Sequence, residues 1–238
     1  MNGGSGGRRF TTALQGSRDR GQLPLIAEIK VRSPKEGDLL GGRDPVVLAQ
    51  TMAAAGAACL SVVTEGPHFG GSLELLRTVA AATPLPVLCK DFVTEPDQVW
   101  ARREQGAACL LLMVSQLDWP RLQALHAEAH RAGLETLVEV HDADELRLAL
   151  TLDLDLLGIN NRDIRQLERD DGTVANTLRL LELVPPGVRT ISESAITGPD
   201  EARQVIVAGG AGVLVGTAIL KAADPATAVR DLVQALAD

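Results

Sequence analysis

Short apolar segments alternate with helical segments along most of the 238 residues, and this alternation constrains the fold more than any other feature. The predicted strands cover residues 25–30, 58–63, 86–90, 109–114, 136–140, 155–160, 188–193 and 212–216. Runs this short and apolar are typical of parallel strands that are buried on both faces. Eight strand–helix units without a break in composition predict one α/β domain over residues 10–238, a closed (β/α)8 TIM barrel.

An internal repeat supports the barrel. The segment Gly-Ala-Ala-Cys-Leu at residues 56–60 recurs at residues 106–110, and each copy indicates the end of a helix followed by the start of a strand. A doubly wound open sheet is the alternative. Such a sheet normally carries a Gly-rich dinucleotide-binding turn after its first strand, and the segment Ser-Pro-Lys-Glu-Gly at residues 33–37 is not one.

The helices are predicted from their start and stop signals. Asp44-Pro45, for example, supplies an N-cap and a proline at the first helical position. The predicted helices cover residues 45–55, 72–82, 96–106, 118–132, 142–150, 174–183, 199–208 and 225–237, with a single turn at 10–15 and a short helix from Thr217. The segment through Gly37, Gly41 and Gly42 is predicted to be a loop, and residues 1–9 a flexible leader.

Composition excludes several classes of protein. A net charge of −8 without a basic stripe argues against a nucleic-acid partner. Apolar segments long enough to span a membrane are missing from the sequence, as is the apolar run of a signal peptide. The three cysteines, Cys59, Cys89 and Cys109, lie in apolar runs, which indicates a reducing compartment without a disulfide framework. We therefore expect a cytoplasmic protein.

Polar side chains collect where the predicted strands end. Active sites of (β/α)8 barrels lie at the carboxyl ends of the strands. Lysines and glutamates that converge there form a natural acid–base set, because opposed charges drive their pKa values apart. The residues at these ends are Glu28, Lys30, Thr64, Glu65, Lys90, Asp91, Ser115, Glu139, His141, Asn160, Asn161, Arg162, Glu193, Ser194, Gly216 and Thr217. Glu65 and His141, considered singly, are predicted to be ordinary loop residues.

An anion site and a weak metal candidate are also visible. The ends of the last two strands, with the short helix that begins at Thr217, form the usual phosphate-binding region of such barrels through backbone N–H groups and the helix dipole. Lys30 is predicted to add positive charge there. His126 and His130 have a spacing that suits a metal. They belong to a helix predicted to be solvated and remote from the strand ends, so we expect no metal there.

Five segments together resemble the indole-3-glycerol phosphate synthase family. They are Ile-Ala-Glu-Ile-Lys-Val-Arg-Ser-Pro at 26–34, Pro-Val-Leu-Cys-Lys-Asp-Phe at 86–92, Leu-Val-Glu-Val-His at 137–141, Gly-Ile-Asn-Asn-Arg-Asp at 158–163 and Ile-Ser-Glu-Ser at 191–194. The resemblance implies a carboxy-lyase of tryptophan biosynthesis that needs neither a cofactor nor a metal. Its phosphorylated small-molecule substrate would be 1-(2-carboxyphenylamino)-1-deoxyribulose 5-phosphate, converted by ring closure, decarboxylation and dehydration.

The resemblance also implies roles for single residues. Lys90 would be the general acid and Glu139 the general base. Lys30 would bind substrate anions and share proton donation, while Glu28 and Glu193 would balance the charge. Asn160, which is also implied to be catalytic, and Arg162 would contact the substrate carboxylate. The residues implied to bind the phosphate are Ser194, Ala195, Gly216 and Thr217. Ser33 and Phe92 would contact the substrate elsewhere in the site.

The sequence departs from the family pattern at three places. The N-terminal extension that helps to cover the mouth in the family is shortened here. Residues 33–37 replace the usual Ser-Pro-Ser-Lys-Gly, and Ala195 replaces a glycine. If position 195 requires a positive φ, alanine adds strain there and lowers phosphate affinity. An isomerase of phosphoribosyl Amadori-type compounds and a non-catalytic phosphometabolite binder remain alternatives. For the assembly, we expect a monomer or a weak homo-oligomer.

Overall fold

The computed structural model describes residues 9–162 and 172–236, and its central element is a closed eight-stranded parallel barrel. The barrel strands are β1 (Leu25–Ile29), β2 (Cys59–Val63), β3 (Val87–Lys90), β4 (Cys109–Met113), β5 (Glu135–Val140), β6 (Leu156–Asn160), β7 (Thr190–Glu193) and β8 (Gly212–Val215). Strand β1 closes the barrel by pairing with both β2 and β8. The predicted (β/α)8 barrel is therefore confirmed, and the doubly wound open sheet is wrong.

Ten α-helices and one short 3₁₀ helix (Val114–Gln116) are described, and most surround the barrel. The α-helices are α1 (Arg9–Asp19), α2 (Pro45–Ala54), α3 (Leu73–Ala82), α4 (Pro96–Glu104), α5 (Trp119–Arg131), α6 (Ala143–Ala149), α7 (Ala175–Leu181), α8 (Pro199–Val207), α9 (Thr217–Lys221) and α10 (Pro225–Val233). Side-chain oxygens cap several of them: Asp44 accepts a hydrogen bond from the Val46 N–H, and Asp224 from the Ala226 N–H. Gly56 and Gly106 have φ values of 104° and 92°, so both copies of the repeat do end a helix.

Helix α1 closes the floor of the barrel, at the amino ends of the strands. Phe10 is fully buried against inward-facing residues such as Cys59 and Leu137. The Thr11 N–H donates to Glu135 Oε2 at 2.8 Å. The prediction of a single turn at residues 10–15 was too short, because this tertiary packing stabilises a longer helix than local propensity indicates. Truncating a buried phenylalanine of this kind costs about 3–5 kcal/mol of stability.

The loop after β1 contains structure that the sequence did not reveal. Arg32–Ser33 pairs antiparallel with Gly37–Asp38. Gly37 has a φ of 72°, which the turn between these two short strands needs and which glycine adopts without strain. The segment predicted to be an irregular loop therefore begins with a hairpin beside the mouth of the barrel.

Two expectations concern the ends of the chain. Residues 1–8 of the predicted flexible leader lie outside the described residues, and Arg9 begins α1. The helix predicted over 225–237 ends at Val233. Within residues 9–162 and 172–236, every helix is too short or too polar to cross a membrane.

Candidate active site

Lys90 lies at the centre of the barrel mouth and contacts two buried carboxyl groups. Its Nζ is 2.9 Å from Glu193 Oε2 and 3.2 Å from Glu139 Oε2. The three residues end or nearly end strands β3, β5 and β7, which are far apart in sequence. Both glutamates are fully buried, whereas the Lys90 side chain keeps 13% of its surface exposed. The Lys90 ammonium therefore faces the cavity, and the carboxyl groups of Glu139 and Glu193 contact it on its buried side.

The two glutamates have opposite pKa shifts. Burial raises the pKa of Glu193 to about 8; Lys90 opposes this rise, and the charge of Glu139 adds to it. Burial also acts to raise the pKa of Glu139, but the charges of Lys90 and His141 outweigh it and lower that pKa below its ordinary value. The two carboxyl groups beside Lys90 are therefore driven apart, Glu139 towards the ionised form and Glu193 towards the protonated form. This division is typical of acid–base sites.

His141, predicted to be an ordinary loop residue, belongs to this group. Its Nε2 lies 3.4 Å from Glu139 Oε1, and its Nδ1 lies 3.0 Å from Glu145 Oε2. Although burial of the ring disfavours its charged form, the hydrogen bond to Glu145 and the charge of Glu139 raise the pKa of His141 above its ordinary value. The imidazole thus links the buried Glu139 to a carboxylate nearer to solvent.

Lys30 and Glu28 form a second buried ion pair. Lys30 Nζ is 3.4 Å from Glu28 Oε1, and Ser61 Oγ donates to Glu28 Oε2 at 3.3 Å. The Phe69 ring lies 5.8 Å from the Lys30 ammonium. Glu65 holds that ring in place, because its Oε2 accepts a hydrogen bond from the Phe69 N–H at 2.9 Å. Strand periodicity correctly placed Glu28 and Lys30 on one face, pointing into the barrel.

A small, mostly apolar cavity opens above Lys90. Its lining consists of Lys30, Val63, Glu65, Phe69, Lys90, Asp91, Phe92, Leu111, Met113, Glu139 and Asn160. Asp91 positions Phe92 by accepting a hydrogen bond from the Phe92 N–H at 2.9 Å. Its apolar walls surround a few converging charges, which is the usual composition of a small-molecule site.

A second, more polar cleft adjoins this cavity. Lys30, Lys35, Glu36, Arg162, Ser194, Ala195, Ile196, Thr197, Leu214, Gly216, Thr217, Ala218, Lys221 and Ala222 line it. Lys30 lines both spaces and so stands where they meet. The cationic side chains around the amino end of α9 favour an anion such as phosphate.

The turn after β7 is strained, and it borders the second cleft. Ser194 and Ala195 have φ values of 64° and 57°, in the left-handed region that side chains with a Cβ rarely adopt. Asn161 holds the turn: its Nδ2 donates to the backbone oxygens of Glu193 and Ser194 at 2.9 and 3.1 Å. The sequence predicts strain at Ala195 if this position requires a positive φ, and the position does have a positive φ.

The structure brings most of the sequence-predicted site residues to the mouth. Glu28 and Glu193 line neither described space, but they contact Lys30 and Lys90. Ser33 lines neither described space; its Oγ accepts a hydrogen bond from the Glu36 N–H and so stabilises the hairpin. Arg162 lines the anion cleft rather than the apolar cavity. Sequence reasoning missed Lys35, Lys221 and Phe69. These follow no strand directly, so the strand-end pattern gave no signal for them.

A closed (β/α)8 barrel with paired lysines and glutamates beside an anion cleft is typical of an enzyme that acts on a small anionic metabolite. The family model for indole-3-glycerol phosphate synthase matches residues 4–232. The chain belongs to the indole-3-glycerol phosphate synthase family, which confirms the resemblance and the carboxy-lyase class implied by the five segments.

Curated relatives agree with this assignment. An indole-3-glycerol phosphate synthase of Exiguobacterium sibiricum is 42% identical over 219 residues, covering 92% of this chain and 84% of that protein. One from Nocardioides sp. is 46% identical over 206 residues, covering 87% and 78%. One from Thermococcus kodakarensis is 42% identical over 210 residues, covering 88% and 92%.

Proposed function

We propose that this enzyme converts 1-(2-carboxyphenylamino)-1-deoxyribulose 5-phosphate to indole-3-glycerol phosphate. The observation that carries the proposal is the shared position of Lys30. It lines both the apolar cavity, which also contains Lys90 and Glu139, and the cationic cleft beside the Ser194–Ala195 turn. A substrate with an aromatic acid at one end and a phosphate at the other fits these two adjoining spaces.

Lys90 is the proposed general acid for ring closure. As the aromatic carbon that bears the carboxylate attacks the substrate ketone, the ammonium donates a proton to the carbonyl oxygen, which becomes a hydroxyl group. Loss of carbon dioxide then restores the aromatic ring. The contacts with Glu139 and Glu193 fix the position of the donor. A positioned acid of this kind contributes roughly 10²–10⁴ in rate.

Glu139 is the proposed base for the dehydration that follows. Its lowered pKa keeps it ionised at neutral pH, as a base must be. It removes the proton that is lost when the new hydroxyl group leaves as water, and it can pass that proton towards solvent through His141 and Glu145, whose contacts form a chain. Lys30, the second donor, protonates the departing hydroxyl; Lys90 can do so once solvent has returned the proton that it gave to the carbonyl oxygen.

The remaining sequence-predicted residues have binding roles in this proposal. Lys30 contacts the substrate anions, and Asn160 and Arg162 are assigned to the anthranilate carboxylate. Arg162 lines the cleft next to Lys30, which is compatible with an anion bound between the two spaces. Phosphate is assigned to the backbone and side chains of Ser194, Ala195, Gly216 and Thr217. Phe92 packs against the aromatic ring, and Ser33 supports the neighbouring hairpin.

The isomerase alternative is disfavoured by the two lysines at the mouth, Lys30 and Lys90, and by the position of the thiols. Such enzymes rely on a carboxylate–thiol or carboxylate pair. Cys59, Cys89 and Cys109 are buried, and none lines the cavity described above. Burial raises the pKa of all three thiols, which opposes thiolate formation.

We also propose that the protein is cytoplasmic, that it is a monomer or a weak homo-oligomer, and that it has no nucleic-acid partner.

The test is turnover of that substrate by the purified chain, followed by indole-product fluorescence. Lys90→Met, which keeps the length of the side chain but removes the ammonium, should lower kcat at least about 100-fold. Arg147→Met removes an exposed cation from α6 and is the matched control, with wild-type turnover expected. Circular dichroism checks that both variants fold. A folded wild-type protein without turnover would favour the non-catalytic binder, and normal turnover by Lys90→Met would remove Lys90 as the acid.

A further inference from the structure

Three potential metal ligands meet at the amino end of the barrel, away from the mouth. His126 and His130 lie four residues apart on α5, and Asp155 directly precedes β6. Each offers one ligand atom, and these atoms all lie within 4.8 Å of one another. The two imidazole rings have centroids 4.3 Å apart, and His130 Nε2 is 2.7 Å from Asp155 Oδ2. The mouth residues Lys90 and Glu139 belong to the other end of the strands.

His126 is the unusual member of this cluster. The helix was predicted to be solvated, but only 6% of His126 is exposed, and its buried Nε2 has no hydrogen-bond partner among the described residues. Leaving a buried polar nitrogen without a partner costs about 1–3 kcal/mol. A bound metal ion would supply a partner for such a nitrogen.

The carboxylate is already oriented. Asp155 Oδ2 accepts hydrogen bonds from the backbone N–H of Thr136 at 3.0 Å and from its hydroxyl at 3.3 Å. Outer contacts of this kind hold ligands in place around protein-bound metals.

We propose that His126, His130 and Asp155 bind a divalent transition metal ion of the zinc type, with water in the fourth position. Imidazole and carboxylate ligands bind Zn²⁺ at about 2.0–2.2 Å, and ligand atoms in a tetrahedral site are then about 3.3 Å apart. The His130–Asp155 contact would open slightly, and the widest pair in the cluster would close. The partly exposed His130 provides the entry path.

The bound ion would connect α5 to the start of β6 and stabilise the folded state. It is remote from Lys90 and Glu139, so it has no part in the acid–base steps. Binding to the folded form alone stabilises it as RT ln(1 + [L]/Kd), and the melting temperature should rise with metal concentration. The metal site can therefore be tested independently of the proposed reaction.

The test uses the full chain, stripped with a chelator and then titrated with zinc chloride. We expect one Zn²⁺ per chain by calorimetry, a rise of several degrees in Tm, and, with cobalt chloride, the visible absorption of a tetrahedral Co²⁺ site. His130→Ala and Asp155→Asn should both abolish these signals. His68→Ala, which removes a histidine outside the cluster, should retain them.

Two variants are used because loss of a buried partner could impair folding. His130 has an exposed face, so its alanine variant should fold, and circular dichroism checks this. Failure of the wild-type chain to bind zinc or cobalt at 100-fold molar excess would overturn the proposal. Binding by folded His130→Ala with wild-type affinity and spectrum would also overturn it, because the ion would then be held elsewhere on the protein.

Discussion

Glu139 and Glu193 contact the same ammonium group, that of Lys90, yet their pKa values are shifted in opposite directions. His141 adds positive charge beside Glu139, whereas Glu193 faces the negative charges of Glu139 and Glu28 within a fully buried environment. Lys90 can therefore lie between a base and a neutral acid without an excess of buried negative charge. Replacing Glu193 or His141 should therefore have a different measurable effect on how stability or rate depends on pH.

Replacement of Glu193 should change how stability depends on pH. Burial raises its pKa from 4.5 to about 8, so the folded state favours the protonated form. The resulting stability is fully present below pH 4.5 and is lost as the pH rises towards and through 8. Glu193→Gln stays neutral, so its Tm relative to wild type should increase from pH 5 to pH 9. Glu104→Gln, at an exposed position on α4, is the control; a pH-independent difference for Glu193→Gln would contradict the assignment.

Replacement of His141 should move the acidic limb of the pH–rate profile. The charge of His141 helps to lower the pKa of Glu139, and Glu145 and Glu193 also face the ring. In His141→Gln the pKa of Glu139 should rise, and the acidic limb of kcat should shift upward by about one pH unit. Rates above neutral pH should change less. A merely structural role would instead lower kcat by the same factor at every pH, and His68→Gln should leave the limb in place.

Gly158 on β6 has no side chain, and the Glu193 carboxyl group occupies the space that a side chain at this position would fill. A Cβ at position 158 would lie 2.1 Å from Glu193 Oε1, so Gly158→Ala must displace that carboxyl group from Lys90. A misplacement of about 1 Å can cost roughly 100-fold in rate, and we expect a fall in kcat of that order. Gly16→Ala is the control, because its Cβ would meet only the end of the Arg20 side chain at 3.6 Å. Equal turnover by both variants would mean that Glu193 does not need this position.

The barrel and most of the mouth could be predicted because both follow from local patterns. Buried parallel strands are short and apolar, and polar residues at their carboxyl ends must meet at one end of a closed barrel. The role of His141 could not be predicted, because it depends on a 3.4 Å contact with Glu139. The length of α1 depends on how Phe10 packs beneath the strands, and Lys221 reaches the anion cleft from a helix rather than from a strand end.

Replacement of alanine by glycine should have opposite effects on stability at two positions, one of which lies in the strained turn after β7. Ala195 has a φ of 57°, where a residue with a Cβ is unfavourable by about 1 kcal/mol or more. Ala195→Gly should therefore raise the free energy of unfolding by about 1 kcal/mol and lower KM, since the turn lines the anion cleft. Ala101→Gly, inside helix α4, is the matched change and should lower stability by about 1 kcal/mol. Denaturant unfolding and substrate titration measure both effects. A loss of stability in Ala195→Gly similar to that in Ala101→Gly would mean that the turn is held without strain, and that alanine at position 195 does not limit phosphate binding.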